Sequence, residues 1–150
     1  MRHVRLVAAA LAVAIAALDQ LAGWLVRREA DRLPWTLGRE LAIRLSHNTG
    51  ISFSRLSHSG DWLRVLIAAV CVGLAVAIWR APARFAVPLG LVLGGAAGNL
   101  IDRLRFGYVV DYVAVGPWPT FNLGDVAIAV GAVLIAFTVL WPAPRPAGEA

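Results

Sequence analysis

The chain has 150 residues, of which 59% are hydrophobic and 15% are charged, a composition far more apolar than that of a typical soluble domain. All 14 basic side chains are arginines, against 9 acidic ones, giving a formal net charge of +5. Long apolar runs with this cationic excess favour contact with anionic lipid over nucleic acid, since no basic stripe is interleaved with aromatic residues. The single cysteine, Cys71, excludes an intrachain disulfide.

The first apolar segment, residues 6–26, is interrupted only by Asp19 and Gln20. About 20 apolar residues cross the hydrocarbon core as a helix, so this segment is long enough to span it. Arg2 and Arg5 before an alanine-rich run are also typical of a cleaved signal peptide. Because the apolar run resumes after Gln20, we expect the segment to be retained as the first membrane span.

Three further segments are predicted to span the membrane, at residues 62–79, 85–101 and 122–141. Tryptophans lie at the predicted span ends, as in an interfacial aromatic belt: Trp24, Trp62, Trp79 and Trp141. The sequence therefore predicts an all-α membrane protein with four transmembrane helices, forming one integral-membrane domain over residues 1–150.

Two longer loops, at about residues 27–61 and 102–121, connect the predicted spans. Leu41, Ile43 and Leu45 alternate with less apolar residues before the turn-forming Asn48-Thr49-Gly50, and Ile51 and Phe53 alternate after it. This pattern predicts a small β-hairpin that caps the helices at the membrane surface.

Four spans place both termini on one side of the membrane and both long loops on the other. A bare count of arginines, five on the terminal side and nine on the loop side, would put the loops in the cytoplasm. We give more weight to the two short cationic flanks, at the N-terminus and at Arg80 to Arg84. The prediction is cytoplasmic termini and extracytoplasmic loops.

Polar residues gather at the loop side of the predicted spans. An acid in a membrane segment is costly, so it is by default functional or paired, and Asp102 has Arg103 and Arg105 as candidate partners. A proton or ion relay in a transporter subunit would instead spread its acids through the bilayer. The clustered residues are Asp19, Asn48, Asn99, Asp102, Arg103, Asp111, Asn122 and Asp125.

Asp111 and Asp125 are the candidate catalytic pair, because one lies in the predicted loop and the other at the start of the last span. Two carboxyl groups held close together share a proton and can activate water while protonating a leaving group, without a metal or organic cofactor. Asn122 lies three residues before Asp125, on the same face of a helix, and is placed to orient either that carboxylate or the carbonyl group of the bond that is cut.

Other motifs favour structural roles. The spacing of Gly90, Gly94 and Gly98 is typical of close helix packing. His47 and His58 are eleven residues apart without a zinc-binding pattern, so no metal site is predicted. No nucleophilic serine motif is present either.

Several sequence blocks resemble the signature of lipoprotein signal peptidase, also called signal peptidase II. They occur in the family's order over most of the chain, and the third is long and specific. The blocks are Asp19-Gln20; Asn48-Thr49-Gly50 with Phe53-Ser54; Gly94 to Arg103 leading to Gly107-Tyr108-Val109-Val110-Asp111; and Phe121-Asn122-Leu123-Gly124-Asp125.

The resemblance implies a four-helix aspartic protease of the bacterial inner membrane, with cytoplasmic termini and a site near the outer leaflet. Such enzymes cut the signal peptide of prolipoproteins immediately before a diacylglyceryl-modified cysteine. Asp111 and Asp125 match the family's catalytic pair. The remaining matched polar positions are those that shape the site and bind substrate: Asp19, Asn48, Asn99, Asp102, Arg103 and Asn122.

The resemblance implies two partners, the lipid-modified prolipoprotein and membrane phospholipid. The chain itself is expected to act as a monomer. The chain also departs from the family pattern. Ala22 and Gly23 replace the usual hydroxyl residue and lysine, and Gly124 replaces the usual alanine. Arg27 or Arg28 could compensate for the lost lysine. These departures leave open a family member that binds prolipoproteins without cutting them.

Overall fold

The structure is a computed structural model that describes residues 1–49 and 59–141, with side chains described from residue 61 in the second range. Within these residues four helices are long and apolar enough to cross a membrane. They are α1 (Arg2–Arg28), α2 (Ser59–Arg80), α3 (Ala86–Phe106) and α4 (Leu123–Leu140). Four such helices with one small sheet confirm the predicted fold class.

Helix α3 packs against all three other helices. Glycines allow α1 and α4 to approach its backbone closely: a Cβ atom on Gly90 would lie 2.5 Å from the carbonyl oxygen of Ala8, and one on Gly94 would lie 2.8 Å from that of Ala12. On another face of α3, Gly95 packs against the carbonyl oxygen of Gly124. The glycine spacing therefore serves helix packing, as predicted.

A three-stranded antiparallel sheet covers one end of the helices, which we call the sheet end. Its strands are β1 (Trp35–Leu37), β2 (Leu41–Asn48) and β3 (Val109–Val115), in the order β1-β2-β3. Strand β2 confirms the alternation seen at residues 41–45. The partners of β2 are β1 and β3, while residues 50–58, which include Ile51 and Phe53, lie outside the described residues.

The predicted loop at residues 102–121 was wrong in part. Helix α3 continues to Phe106 and ends at Gly107, whose φ of 83° is the left-handed conformation that favours glycine. Asp102 and Arg103 therefore lie in its last turns. The apolar run ends at Ile101, but backbone hydrogen bonding continues a helix past the point where its side chains become polar.

The sheet is fixed to the helices by an apolar cluster. Val26 of α1 packs with Val110 and Tyr112 of β3, and all three side chains are buried. Ile43 and Leu45 of β2 pack against this cluster. The middle of β3, which contains Asp111, is therefore held above the ends of α1 and α3.

Candidate active site

The four predicted acids come together at the sheet end. Asp19, Asp102 and Asp111 are 3%, 3% and 2% exposed, while Asp125 is half-buried at the first turn of α4. Buried carboxyl groups need hydrogen-bond donors or opposite charges to offset the loss of water. Their partners define the site.

Asp111 is held by two asparagine side chains. The Asn48 amide nitrogen, at the end of β2, donates to Asp111 Oδ2 at 2.9 Å, and the Asn122 amide nitrogen donates to Oδ1 at 3.0 Å. Ser46 is the register partner of Asp111 across the β2–β3 pair. The sheet pairing therefore brings Asn48 to Asp111 although the two residues are 63 positions apart.

Asp125 is held at the N-terminus of α4. Its backbone amide donates to Asn122 Oδ1 at 2.8 Å, and the Asn122 backbone amide donates to Asp125 Oδ2 at 3.2 Å, which forms a capping box. The Asn99 side chain donates to Asp125 Oδ1 at 2.9 Å. The partial positive charge of a helix N-terminus also stabilises a carboxylate at this position.

Asn99 and Asn122 join the two carboxyl groups into one network. The Asn122 amide nitrogen donates to Asn99 Oδ1 at 2.9 Å as well as to Asp111. Each oxygen of Asp111 and Asp125 thus accepts a hydrogen bond from an amide of the chain. The network fixes the orientation of both carboxyl groups.

Burial raises the pKa of Asp111 from 3.8 to about 6. The negative charge of Asp125 acts in the same direction, whereas the hydrogen bonds from Asn48 and Asn122 and the charge of Arg103 lower the pKa. Asp111 therefore retains its proton to a higher pH than an ordinary aspartate, as a carboxyl group that shares a proton requires.

Asp19 does not contact either carboxyl group of the pair but anchors the start of α4. Its Oδ1 accepts hydrogen bonds from the Gly124 backbone amide at 3.1 Å and from the Tyr112 hydroxyl at 3.4 Å. The same hydroxyl accepts from the Leu123 amide at 3.0 Å. Tyr112 is a site residue that was not predicted from sequence, although its place next to Asp111 in a β-branched and aromatic run was a usable signal.

Asp102 connects α1, α3 and β3. The Gln20 side chain donates to Asp102 Oδ1 at 2.8 Å, and the Val110 backbone amide donates to Oδ2 at 2.8 Å. In the described part of the chain neither Arg103 nor Arg105 forms an ion pair with Asp102, so the alternative of simple charge pairing was wrong. Gln20 is a second supporting residue that was not predicted from sequence.

Arg103 lies beside Asn99 on α3. Its guanidinium donates to the Asn99 carbonyl oxygen, one turn earlier, at 3.3 Å. The charge of Arg103 lowers the pKa of Asp111. The structure thus brings Arg103 to the carboxyl pair, together with Asn48, Asn99 and Asn122.

His47 lies outside the hydrogen-bond network that the described residues form around the two carboxyl groups. The ring of His47 packs on Tyr108 with a centroid distance of 4.2 Å, and His58 lies outside the described residues. Over residues 1–49 and 61–141 no group of three or more His, Cys, Asp or Glu side chains is arranged to hold a metal ion.

Two departures from the expected pattern have local explanations. The Nη1 atom of Arg27 lies 3.5 Å from where a Cβ on Gly23 would stand, so a cation from the next turn occupies the space beside position 23. A Cβ on Gly124 would lie 3.0 Å from the Gly95 carbonyl oxygen, a close contact that glycine avoids.

Four membrane-crossing helices and a buried cluster of carboxyl and amide groups define a multi-pass membrane protein with a polar site at one end of its helices. A solved bacterial membrane enzyme, determined by the in meso method at 2.3 Å resolution, superposes with a TM-score of 0.81 at 22% identity. The match covers 96% of this chain and 94% of that one, and shows a shared fold.

The sequence comparisons give the family. A family model described as signal peptidase (SPase) II matches residues 11–141. The lipoprotein signal peptidase of Moorella thermoacetica is 37% identical over 145 residues, which cover 93% of this chain and 96% of the relative. That of Hydrogenovibrio crunogenus is 39% identical over 147 residues, covering 90% and 86%. The chain belongs to the signal peptidase II family and is a membrane-embedded peptidase.

Proposed function

We propose that this chain is an aspartic endopeptidase that removes the signal peptide of diacylglyceryl-modified prolipoproteins immediately before the lipidated cysteine. Asp111 and Asp125 are its catalytic residues. The observation that carries this proposal is the amide network in which Asn122 contacts both aspartates and Asn99 contacts Asp125. Two carboxyl groups oriented by shared partners suit the general acid and general base of peptide hydrolysis.

The reaction uses one water and returns both carboxyl groups to their starting states. Asp125 accepts a proton from water, whose oxygen attacks the scissile carbonyl carbon, while protonated Asp111 donates to the carbonyl oxygen. When the C–N bond breaks, Asp125 gives its proton to the leaving nitrogen and the diol intermediate returns a proton to Asp111. The raised pKa of Asp111 is the reason for assigning the starting proton to this residue.

The other polar residues shape the site and bind substrate. Asn48, Asn99 and Asn122 orient the two carboxyl groups, and Asp19 and Asp102 hold α4 and β3 in place around them. Arg103 stands beside the pair and is suited to bind a carbonyl oxygen of the substrate backbone. Strand β2, whose Asn48 donates to Asp111, clamps the substrate helix over this cluster.

The lipid of the substrate is expected in the gap between α2 and α4. Both helices pack on α3, but in the described residues they make little contact with each other, so that face of α3 is open to the bilayer. A diacylglyceryl group is held at least cost where hydrocarbon already surrounds it. This arrangement supports lateral entry of a lipidated substrate into the site.

The sheet end is assigned to the extracytoplasmic side of a bacterial inner membrane, with both termini in the cytoplasm and the chain acting as a monomer. A reporter fused after Ala150 tests the orientation: activity of a cytoplasmic reporter is expected. An extracytoplasmic C-terminus would overturn this part of the proposal without affecting the catalytic pair.

Cleavage of a diacylglyceryl-modified prolipoprotein by the purified protein in detergent tests the function directly. The unlipidated precursor and the Asp111→Asn and Asp125→Asn variants are run beside it. Product is expected only from the lipidated precursor and only with both aspartates intact. Asp31→Asn, a change at an exposed aspartate, is the matched control and should cleave normally.

The main alternative is a family member that binds prolipoproteins without cutting them, favoured only by the changes at Ala22 and Gly23. Binding of the lipidated precursor without product, by protein with an intact melting transition, would support that alternative. Turnover retained in either aspartate variant would remove the role assigned to that residue.

A further inference from the structure

A groove of about 550 Å³ runs along the outside of the bundle between α1 and α3. Its walls are small or aliphatic side chains, such as Ala16 and Val13 of α1 and Leu93 and Ala97 of α3. Gln20 is the polar residue at its sheet end. The volume and apolar lining of the groove suit a hydrocarbon chain.

On both helices the stripe that lines this groove ends in an arginine. Along α3, Leu93, Ala97 and Ile101 recur at four-residue spacing, and Arg105 is the next position of that series. Along α1, Arg27 follows Ala9 by 18 residues, which is about five full turns and returns to the same face. Both arginines therefore stand above the sheet end of the groove.

Both guanidinium groups lie over the ring of Phe106, in the last turn of α3. The guanidinium carbon of Arg27 is 4.4 Å from the centre of the Phe106 ring, and that of Arg105 is 5.2 Å from the same ring. Arg105 also donates to Gln20 Oε1 at 3.4 Å. Among the described residues the ion pairs are Arg32 with Glu29 and Arg64 with Asp61, so neither of the two arginines over Phe106 is neutralised by a carboxylate.

We propose that this groove and its two arginines form a binding site for an anionic glycerophospholipid of the surrounding bilayer. One acyl chain lies in the groove between α1 and α3, and the headgroup phosphate is bound by Arg27 and Arg105. Guanidinium groups match the geometry of phosphate oxygens. A phospholipid carries its negative charge at the membrane interface and its acyl chains below it. Two cations without a carboxylate partner above an apolar groove are complementary to that arrangement.

The site is separate from the proposed catalytic pair. Successive helical residues are about 100° apart, so Asn99, which contacts Asp125, points almost opposite to Ala97 and Ile101 in the groove. The lipid proposed here is thus a bilayer lipid bound behind the site and not the diacylglyceryl group of the substrate. Gln20 connects the two regions, because it lines the groove and donates to Asp102.

Native mass spectrometry of the full chain in detergent, titrated with phosphatidylglycerol, tests the proposal. Binding of one phosphatidylglycerol is expected, more tightly than phosphatidylcholine. Arg27→Gln and Arg105→Gln should each weaken binding about fivefold, the effect of one cation at an anionic lipid surface. The Arg→Lys variants should retain most of the affinity, and Arg80→Gln, the same charge change at the opposite end of the bundle, should bind as the unmodified chain does.

A second pair of variants tests the groove without changing charge. Ala97→Phe should abolish tight lipid binding by filling the slot. Val13→Trp changes a wall residue that is 70% exposed, so it tests the same point with little risk to folding. Equal affinity in all the variants would overturn the proposal.

Two other results would also overturn it. Competition by inorganic phosphate at equal concentration would indicate a free-phosphate site without the groove. A dimer that becomes a monomer in Val13→Trp, with lipid affinity unchanged, would show that a second copy of the chain occupies the groove. Because the readouts are lipid affinity and mass, the result does not depend on cleavage activity.

Discussion

Asn122 and Asp125 bind each other reciprocally at the start of α4, each through one backbone amide and one side-chain oxygen. The capping box that begins the helix is therefore also the arrangement that orients the Asp125 carboxylate. The side-chain nitrogen of Asn122, which the capping box does not use, donates to Asp111 and Asn99. One side chain thus links helix initiation to the geometry of the carboxyl pair.

Substitutions at Asn122 should separate these two roles. Asn122→Ser retains an oxygen that can cap the helix but loses the amide nitrogen that donates to Asp111. We expect near-normal thermal stability with kcat reduced at least tenfold. Asn122→Ala should lose the cap as well, at about 1 kcal/mol of stability. Melting curves and steady-state cleavage of the lipidated precursor measure both effects; equal kcat in Asn122→Ser and the unmodified chain would contradict a role at Asp111.

The pH dependence of stability should reveal Asp111. Its pKa is about 6 in the folded chain, against 3.8 for an ordinary aspartate, so the folded state binds the proton more tightly than the unfolded state does. Ionised Asp111 therefore costs folding free energy, with no cost below about pH 4 and the full cost above about pH 6. Asp111→Asn removes this dependence, since its side chain is neutral at every pH.

The measurement is the melting temperature of Asp111→Asn minus that of the unmodified chain, followed from pH 4 to pH 7.5. We expect this difference to rise with pH and to level off above about pH 6. The asparagine side chain at position 111 cannot accept both hydrogen bonds that Asp111 accepts, which lowers the melting temperature by a similar amount at every pH. The change of the difference with pH is therefore the quantity to compare, and not its absolute value. A flat profile for Asp111→Asn would mean that its pKa is ordinary.

The helices and the acid cluster could be predicted from sequence because the bilayer imposes strong constraints. Its thickness sets the helix length, and the cost of buried charge makes acids such as Asp19 and Asp125 conspicuous. The end of α3 was misplaced because hydropathy was used as its marker. Gly107, in a left-handed conformation, was the better signal for the end of the helix.

The sheet could not be predicted in full, since its pairing joins residues far apart in the chain. The Val109-Val110-Asp111-Tyr112-Val113 run has the β-branched and aromatic content of a strand, but no local feature says that Ser46 lies opposite Asp111. The roles of Tyr112 and Gln20 in the site could not be predicted either, because they depend on contacts between distant segments. Their partners, Asp19, Leu123 and Asp102, come from other segments.

Gly98 should be essential for the position of Asp19. A Cβ atom on Gly98 would stand 2.8 Å from Asp19 Oδ2, so Gly98→Ala must displace the carboxylate that anchors Gly124 and Tyr112. We expect a clear fall in both melting temperature and cleavage rate. Gly73→Ala in α2 is the matched control: nothing lies within 4 Å of its Cβ position, and alanine favours a helix by up to about 1 kcal/mol. Normal activity in Gly98→Ala would exclude close packing as the reason for this glycine.

Tyr112 is predicted to be a positioning residue that acts through α4. Its hydroxyl donates to Asp19 and accepts from the Leu123 amide, so Tyr112→Phe removes one of the contacts that fix the first turn of α4 two residues before Asp125. We expect kcat to fall about tenfold while KM stays near its original value, because small displacements of catalytic groups slow chemistry more than binding.

Tyr108→Phe is the matched control, since Tyr108 is the other tyrosine and packs on His47 and Phe106 through its ring. In the described structure its hydroxyl has no hydrogen bond, and removing it should leave kcat unchanged. A tenfold loss in both variants would point to a general effect of lost hydroxyl groups near the sheet. A loss confined to KM in Tyr112→Phe would place this tyrosine in substrate binding and not in positioning Asp125.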